Sequence, residues 1–346
     1  MRPYLLNGHS RPLTYVMFNR DGDLLFTCGK DKKVNVWYSS NGERIGTYDG
    51  HNGVVWCLDV TYDSKRLITA GADECCKVFD METGEQLAEI KEKGPCRWVQ
   101  WCRKPNDQNK VVVARDRFSE AKGPAAISIW KVGSSADDDR DDEDGAGPKS
   151  TRILEITDLP SKTTTVHWGA YDETLVSSHE DGLLVVWDVF TGTPVWEIQA
   201  HDASIPSMCL SEDRYLCLTA CKDASAKLWD LLNKKCVKEY KTDRGLNACS
   251  ISPRYNAREN KRYHILLGGG QSAEEVTTTA AGEGKFQALL YHMVFAEELG
   301  SVKGHFGPIN TIAFMPGGDG YASGGEEGYV RLHHFDESYW SNKYYD

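Results

Sequence analysis

His9, Thr27, Asp31 and Trp37 are side chains that could do chemistry together. A hydroxyl beside an imidazole beside a carboxylate is the constellation of a nucleophile, its base and the group that orients the base. The set returns at the same intervals elsewhere in the chain. His51 is followed by Thr69, Asp73 and Phe79, His201 by Thr219, Asp223 and Trp229, and His305 by Ser323, Glu327 and His333. The hydroxyl, acid and ring stand 18, 22 and 28 residues after the histidine each time. Catalysis needs one such set, whereas a set that recurs marks a repeat architecture. The residues are therefore read as structural. A hydroxyl donates and accepts, neutral imidazole does the same, a carboxylate only accepts and an indole N–H only donates, so the four can bond in series.

The elements that must position these groups are short strands. Apolar pairs fall 7 and 9 residues after the histidine: Val16/Phe18, Leu58/Val60, Met208/Leu210 and Ile312/Phe314. Alternation with period two argues for half-buried strands. A further unit fits if Leu159 takes the histidine place, giving Val166/Trp168, Ser177, Asp181 and Trp187. Asp21-Gly22, Asn41-Gly42 and Thr83-Gly84 supply turn signals. Two units are irregular. The third keeps Val99/Trp101 and Trp130 but has no matching histidine or loop aspartate, and the sixth keeps only Cys249/Ile251. In the second, Phe79 cannot donate the indole bond.

A Gly-His start, a loop Asp and a closing Trp-Asp at this spacing resemble the WD40 repeat. The resemblance implies an all-β, seven-bladed WD40 β-propeller, each repeat forming one four-stranded blade. It also implies that the N-terminal strand around Tyr4-Leu5-Leu6 pairs with the final repeat and closes the ring. One propeller then takes up residues 1–346, since seven blades of about 40–45 residues need roughly 300.

Composition narrows the function classes. The net charge of −11 tells against duplex nucleic acid as the main ligand. No apolar run approaches 18 residues, and the N-terminal residues run straight into the first repeat, so neither a membrane span nor a signal peptide is expected. The 11 cysteines form no Cys-x-x-Cys pair, and there is no Asn-x-Ser/Thr sequon. Buried thiols in a reducing cytoplasm, without a structural metal, are expected. Residues 133–148 carry Asp137, Asp138, Asp139, Asp141, Asp142, Glu143 and Asp144 against Arg140 alone, and read as a disordered surface loop. They fail the EF-hand pattern, because the Gly145 register puts Arg140 at the first ligand position and Thr151 at the twelfth. Gly268, Gly270 and Ala273 match the spacing of a dinucleotide-binding turn. Glu274, Glu275 and the run Thr277-Thr278-Thr279 that follow oppose a pyrophosphate and a helix, so a hairpin loop is expected and no cofactor. His333-His334 stands in the Trp-Asp place and reads as part of its blade. Residues 338–346 form a short aromatic tail with no assigned role.

Several stretches go beyond the generic repeat. These are Met1–Thr14; Asn35-Val36-Trp37-Tyr38 with Asn41-Gly42-Glu43-Arg44; Leu267–Gln271 with Val276–Ala280 and Glu283-Gly284-Lys285-Phe286; and Gly304–Pro308 with Ala322–Glu326 and Val330–Phe335. Together they resemble the i-subunit family of eukaryotic translation initiation factor 3. The acidic insertion and the short tail depart from that pattern. The resemblance implies a non-catalytic scaffold that supports recruitment of mRNA and initiator tRNA to the small ribosomal subunit. It implies direct contact with the b subunit, through a C-terminal helix, and with the g subunit, and only indirect contact with the ribosomal subunit. It places the b-subunit contact on the side of the fifth and sixth blades, at Asp213, Leu228 and Asp230. Carboxylates flanking an apolar residue suit a basic amphipathic helix. Two other classes stay open: a signalling adaptor bound by a receptor kinase, and a substrate receptor of a ubiquitin ligase.

Overall fold

The apolar pair after each histidine falls in the innermost strand of a sheet, against which the neighbouring sheets pack. The computed structural model describes residues 2–104, 107–120, 123–133, 150–271 and 285–341. The expected acidic loop lies almost entirely outside them, as does Ala273 of the glycine-rich turn.

Blade 1 comprises β2 (Leu13–Phe18), β3 (Leu24–Gly29), β4 (Val34–Tyr38) and β5 (Arg44–Tyr48). Blade 2 is β6 (Val55–Val60), β7 (Arg66–Gly71), β8 (Cys75–Asp80) and β9 (Gln86–Lys91). Blade 3 is β10 (Cys96–Trp101), β11 (Lys110–Arg115), β12 (Ala126–Lys131) and β13 (Thr151–Ile156). Blade 4 is β14 (Thr163–Trp168), β15 (Thr174–His179), β16 (Leu183–Asp188) and β17 (Pro194–Gln199). Blade 5 is β18 (Ser207–Leu210), β19 (Leu216–Ala220), β20 (Ser225–Asp230) and β21 (Lys235–Lys241). Blade 6 is β22 (Leu246–Ile251), β23 (His264–Gly269), β24 (Ala288–His292) and β25 (Glu298–Val302). Blade 7 takes β26 (Ile309–Phe314), β27 (Gly320–Gly325) and β28 (Tyr329–His334), and its fourth strand is β1 (Tyr4–Asn7). Each sheet is antiparallel, the first six as meanders, and the seven form a β-propeller.

Closure is a register of four pairs: Tyr4 with Leu332, Leu5 with Arg331, Leu6 with Val330 and Asn7 with Tyr329. The innermost strands follow one another round the ring, β2 beside β6, β6 beside β10, and so on to β26 beside β2. Six apolar clusters fill the seams. One runs from blade 2 through blade 3 to blade 4, and the others join 1 to 2, 4 to 5, 5 to 6, 6 to 7 and 7 to 1. Leu6 of the closing strand is buried in the last of these.

The innermost strand of each blade has an edge with no further strand to pair with, and its polar groups need partners. Side chains of the preceding blade supply them. Val16 N–H donates to Thr311 Oγ1 at 3.0 Å, Trp101 N–H to Asp59 Oδ2 at 2.7 Å, Trp168 N–H to Gln100 Oε1 at 2.9 Å and Phe314 N–H to Ser250 Oγ at 3.1 Å. His167 Nε2 donates to Met208 O at 3.1 Å, and burial holds this imidazole neutral by lowering its pKa to about 3. These bonds surround a central cavity of about 720 Å³.

Asp59 is the charged member of this ladder. Burial pushes its carboxyl up to about 6, against the lowering effect of the Arg103 charge and the Trp101 N–H. A folded value above the unfolded one means that ionisation opposes folding. That stability is fully present below the unfolded value of 3.8 and is lost as pH rises through about 6. Asp59→Asn keeps an oxygen for Trp101 N–H and carries no charge. Urea midpoints are expected to show the variant more stable by about 2 kcal/mol above pH 6.5, with the advantage shrinking to nothing towards pH 4.

Candidate protein-binding face

The rigidity of the face comes from polar relays inside the blades. In blade 1, Trp37 Nε1 donates to Thr27 Oγ1 at 2.9 Å, the hydroxyl meets His9 Nε2 at 2.9 Å, and His9 Nδ1 meets Asp31 at 3.0 Å. Because the carboxylate only accepts, Nδ1 carries the proton and Nε2 takes the hydroxyl's. Blade 5 repeats this with Trp229, Thr219, His201 and Asp223 at 3.1, 2.8 and 3.0 Å. In blade 2, His51 joins Thr69 at 2.7 Å and Asp73 at 2.9 Å, while Phe79 adds packing only. In blade 7, His305 joins Ser323 at 2.8 Å and Glu327 at 2.6 Å, and His333 stacks on Tyr321 with centroids 4.6 Å apart.

The irregular blades reach the same end differently. The loop histidine lies over the residue that ends the second strand, which must be small. A Cβ on Gly71 would stand 2.4 Å from His51 Nδ1, and one on Gly325 2.6 Å from His305 Nδ1. Blade 4 exchanges the two positions: Leu159 stands in the loop and His179 ends β15. Trp187 Nε1 donates to Ser177 Oγ at 2.7 Å, Ser177 Oγ meets His179 Nε2 at 2.8 Å, and His179 Nδ1 donates to Ser161 O at 3.2 Å. Asp181, expected in this set, lies apart and takes Leu183 N–H at 3.2 Å within its own turn. Blade 3 uses an ion pair. Glu92 accepts from Trp130 Nε1 at 2.7 Å and from Arg115 at 2.8 Å, both partners in the pair being buried. Glu92 stands in the histidine place, 7 and 9 residues before Val99 and Trp101, and His179 stands where the units of His9, His51 and His305 keep glycine, so both differences are readable, whereas nothing local marks Arg115.

Thr27, Thr69, Ser177 and Thr219 are fully buried, so no substrate can reach a hydroxyl of these sets. His201, Cys221 and Asp223 hold one ligand-type atom each within 4.8 Å of one another. Those atoms are engaged already: Cys221 Sγ donates to Ala203 O at 3.2 Å, His201 Nδ1 to Asp223, and burial pushes the thiol up to about 12.

In blades 1, 2, 4, 5 and 6 the first and third turns emerge at one end of the ring, because the strands alternate in direction. Asp213 lies in the first turn of blade 5 and is exposed. Its Oδ1 accepts from Ser211 Oγ at 2.6 Å and Tyr215 N–H at 3.1 Å, and its Oδ2 from Tyr255 OH at 2.6 Å. Asp230 opens the third turn, where its carboxylate takes Asn233 N–H at 2.8 Å and Asn233 Nδ2 at 2.7 Å. Leu228 does not share this surface. It is 3% exposed and packs in the seam with Leu218, Tyr240 and Leu289, which corrects its expected place. The apolar surface comes from turns instead. Phe190, Leu232 and Phe295, in the third turns of blades 4, 5 and 6, are 79%, 72% and 63% exposed. The same turns of blades 1 and 2 present Ser40 and Glu82. Among the described residues, no helix is long and apolar enough to cross a membrane.

Two measurements test the relays. Thr219→Val keeps the shape and strands both the Trp229 N–H and the His201 imidazole, so urea denaturation should show a loss of about 2–4 kcal/mol. For Asp31, burial alone would raise the carboxyl, but the hydrogen bonds from His9 and from the Ser10 and Lys33 amides outweigh it and leave the value below 3.8. A lowered folded value gives stability that is present above the unfolded value and lost as pH falls through the folded one. Asp31→Asn should therefore lower the midpoint at pH 7, with the gap to the parent closing below pH 3.8.

Comparison with known proteins agrees with this geometry. The family model described as EIF3I matches residues 1–345. The chain is similar to eukaryotic translation initiation factor 3 subunit I of Bombyx mori, with 45% identity over 340 residues, covering 98% of this chain and 97% of that protein. It is also similar to the protein of that description from Drosophila melanogaster, with 43% identity over 347 residues and 99% of each chain covered. Similarity that runs the length of the ring, irregular blades included, leads to one conclusion: the chain belongs to the EIF3I family.

Proposed function

We propose that this protein is a non-catalytic scaffold subunit of eukaryotic translation initiation factor 3, working in the cytoplasm. It supports recruitment of mRNA and initiator tRNA to the small ribosomal subunit through protein–protein contacts. Its direct partners are the b and g subunits, and its contact with the ribosomal subunit is indirect. The observation that carries this reading is the arc of Phe190, Leu232 and Phe295 on three successive blades, with Asp213 and Asp230 beside the middle one. Exposed apolar residues scattered singly are ordinary, whereas a run on one rim marks a place of association. Apolar tips flanked by carboxylates fit an amphipathic helix with basic residues along its border, and the C-terminal helix of the b subunit is the occupant proposed. The fixed backbone of the ring keeps the cost of ordering low when the helix docks.

The test is co-purification from lysate together with titration of the isolated b-subunit helix. Phe190→Ser, Leu232→Ser and Phe295→Ser combined should weaken helix binding by more than tenfold while far-ultraviolet circular dichroism stays unchanged. Asp213→Lys with Asp230→Lys should do the same and reduce the salt dependence of binding. Undiminished affinity in both folded variants would remove this face from the reading. Recovery of a membrane kinase or a cullin adaptor in place of initiation factor subunits would remove the reading itself.

A further inference from the structure

After β28 the chain turns back into α1 (Glu337–Ser341), a five-residue helix too short to hold itself. Side chains hold it. Tyr339 stacks on Phe335 with centroids 3.9 Å apart and planes 8° from parallel, and its hydroxyl lies 2.6 Å from His264 Nδ1. Trp340 lies beneath two guanidinium groups, with Arg254 and Arg262 5.2 and 5.7 Å from its ring centre. Arg262 also donates to Trp340 O at 2.7 Å.

Both arginines belong to the loop between β22 and β23. Arg254 Nε donates to Gly317 O at 2.6 Å, and Arg262 N–H donates to Arg254 O at 3.2 Å, which closes the loop at its base. Arg262 is buried, and the ring and carbonyl of Trp340 form part of what covers its charge. The residue after Arg254 is Tyr255, whose hydroxyl donates to Asp213 Oδ2. Physical contact thus runs from the C-terminal aromatic pair, through the two arginines, to a carboxylate of the rim between blades 5 and 6.

We infer that Tyr339 and Trp340 are a built-in brace for the docking face: they order the 253–263 loop, and through Tyr255 they hold Asp213 in one orientation before a partner arrives. The inference rests on the reading of Asp213 as a partner contact. An exposed carboxylate normally samples several rotamers, and one fixed in advance loses less freedom on binding. Tyr339, Trp340 and Tyr255 are positioning residues, because none of them has to touch the partner.

Amide hydrogen exchange and helix titration test this on the full chain. In Tyr339→Ala/Trp340→Ala, exchange at residues 253–263 and at the Tyr215 amide should quicken about tenfold, with the amides of blades 1 to 4 unchanged. Trp340→Phe, which keeps an aromatic face for the arginines, should restore the parent rates. Tyr255→Phe removes a single hydroxyl and guards against a misfolded double variant. It should quicken exchange at Tyr215 alone. Both variants should bind the b-subunit helix about three- to tenfold more weakly. Unchanged exchange in the folded double variant overturns the brace, as does quickened exchange with unchanged helix affinity. If the parent itself does not bind the helix, the partner assignment fails and the exchange measurements alone decide whether the loop is braced.

Discussion

A hydroxyl group with no exposed surface, accepting from an indole and donating to an imidazole, is the interaction on which blades 1, 4 and 5 depend. Thr27, Thr219 and Ser177 all sit in this position. The bonds have one direction, because each end of the relay can play only one part. Tryptophan must give and the carboxylate, or the Ser161 carbonyl in blade 4, must take. The result ties the second strand, the third strand and the loop entering the blade to one another, so the loop cannot drift from the sheet. Turns attached to such a sheet are fixed in space, and a rim made of turns becomes a usable surface.

The recurrence of that relay made the architecture legible in the sequence. Fixed intervals between His, Thr, Asp and Trp survive changes in everything between them, and the apolar pairs set the strand period. The exchange in blade 4 was partly visible, since His179 occupies a place that is glycine in blades 1, 2 and 7. Of the ion pair of blade 3 only Glu92 was, in the histidine place seven residues before Val99. Glu92 and Arg115 meet only because β11 carries the arginine to the point that a loop histidine fills elsewhere. Arg115 has no sequence interval to betray it, because extra residues before β11 break the spacing.

Surface and interior were harder to separate than strands and turns. Leu228 and Trp229 are adjacent and both buried, because the third strand of a blade packs on each of its faces. Alternation along a strand then says nothing about which side chain meets solvent. The apolar tips of the rim lie in turns, where period gives no guidance at all, and only their shared place on successive blades reveals them. The aromatic tail carried no sequence signal for its partners, since Arg254 and Arg262 lie about 80 positions earlier.

The pairing of Leu6 with Val330 has a consequence for the order of events during synthesis. Of the strands in the ring, the first made is the last to find its place. At about 5–20 residues per second, roughly 15–65 s pass between the emergence of the two partners from the ribosome. Throughout that interval the blades already made stand as an open arc with sticky borders at both extremities. A nascent chain of this design has reason to be sheltered until its final repeat appears, and cutting the circle at another blade boundary would change which border waits.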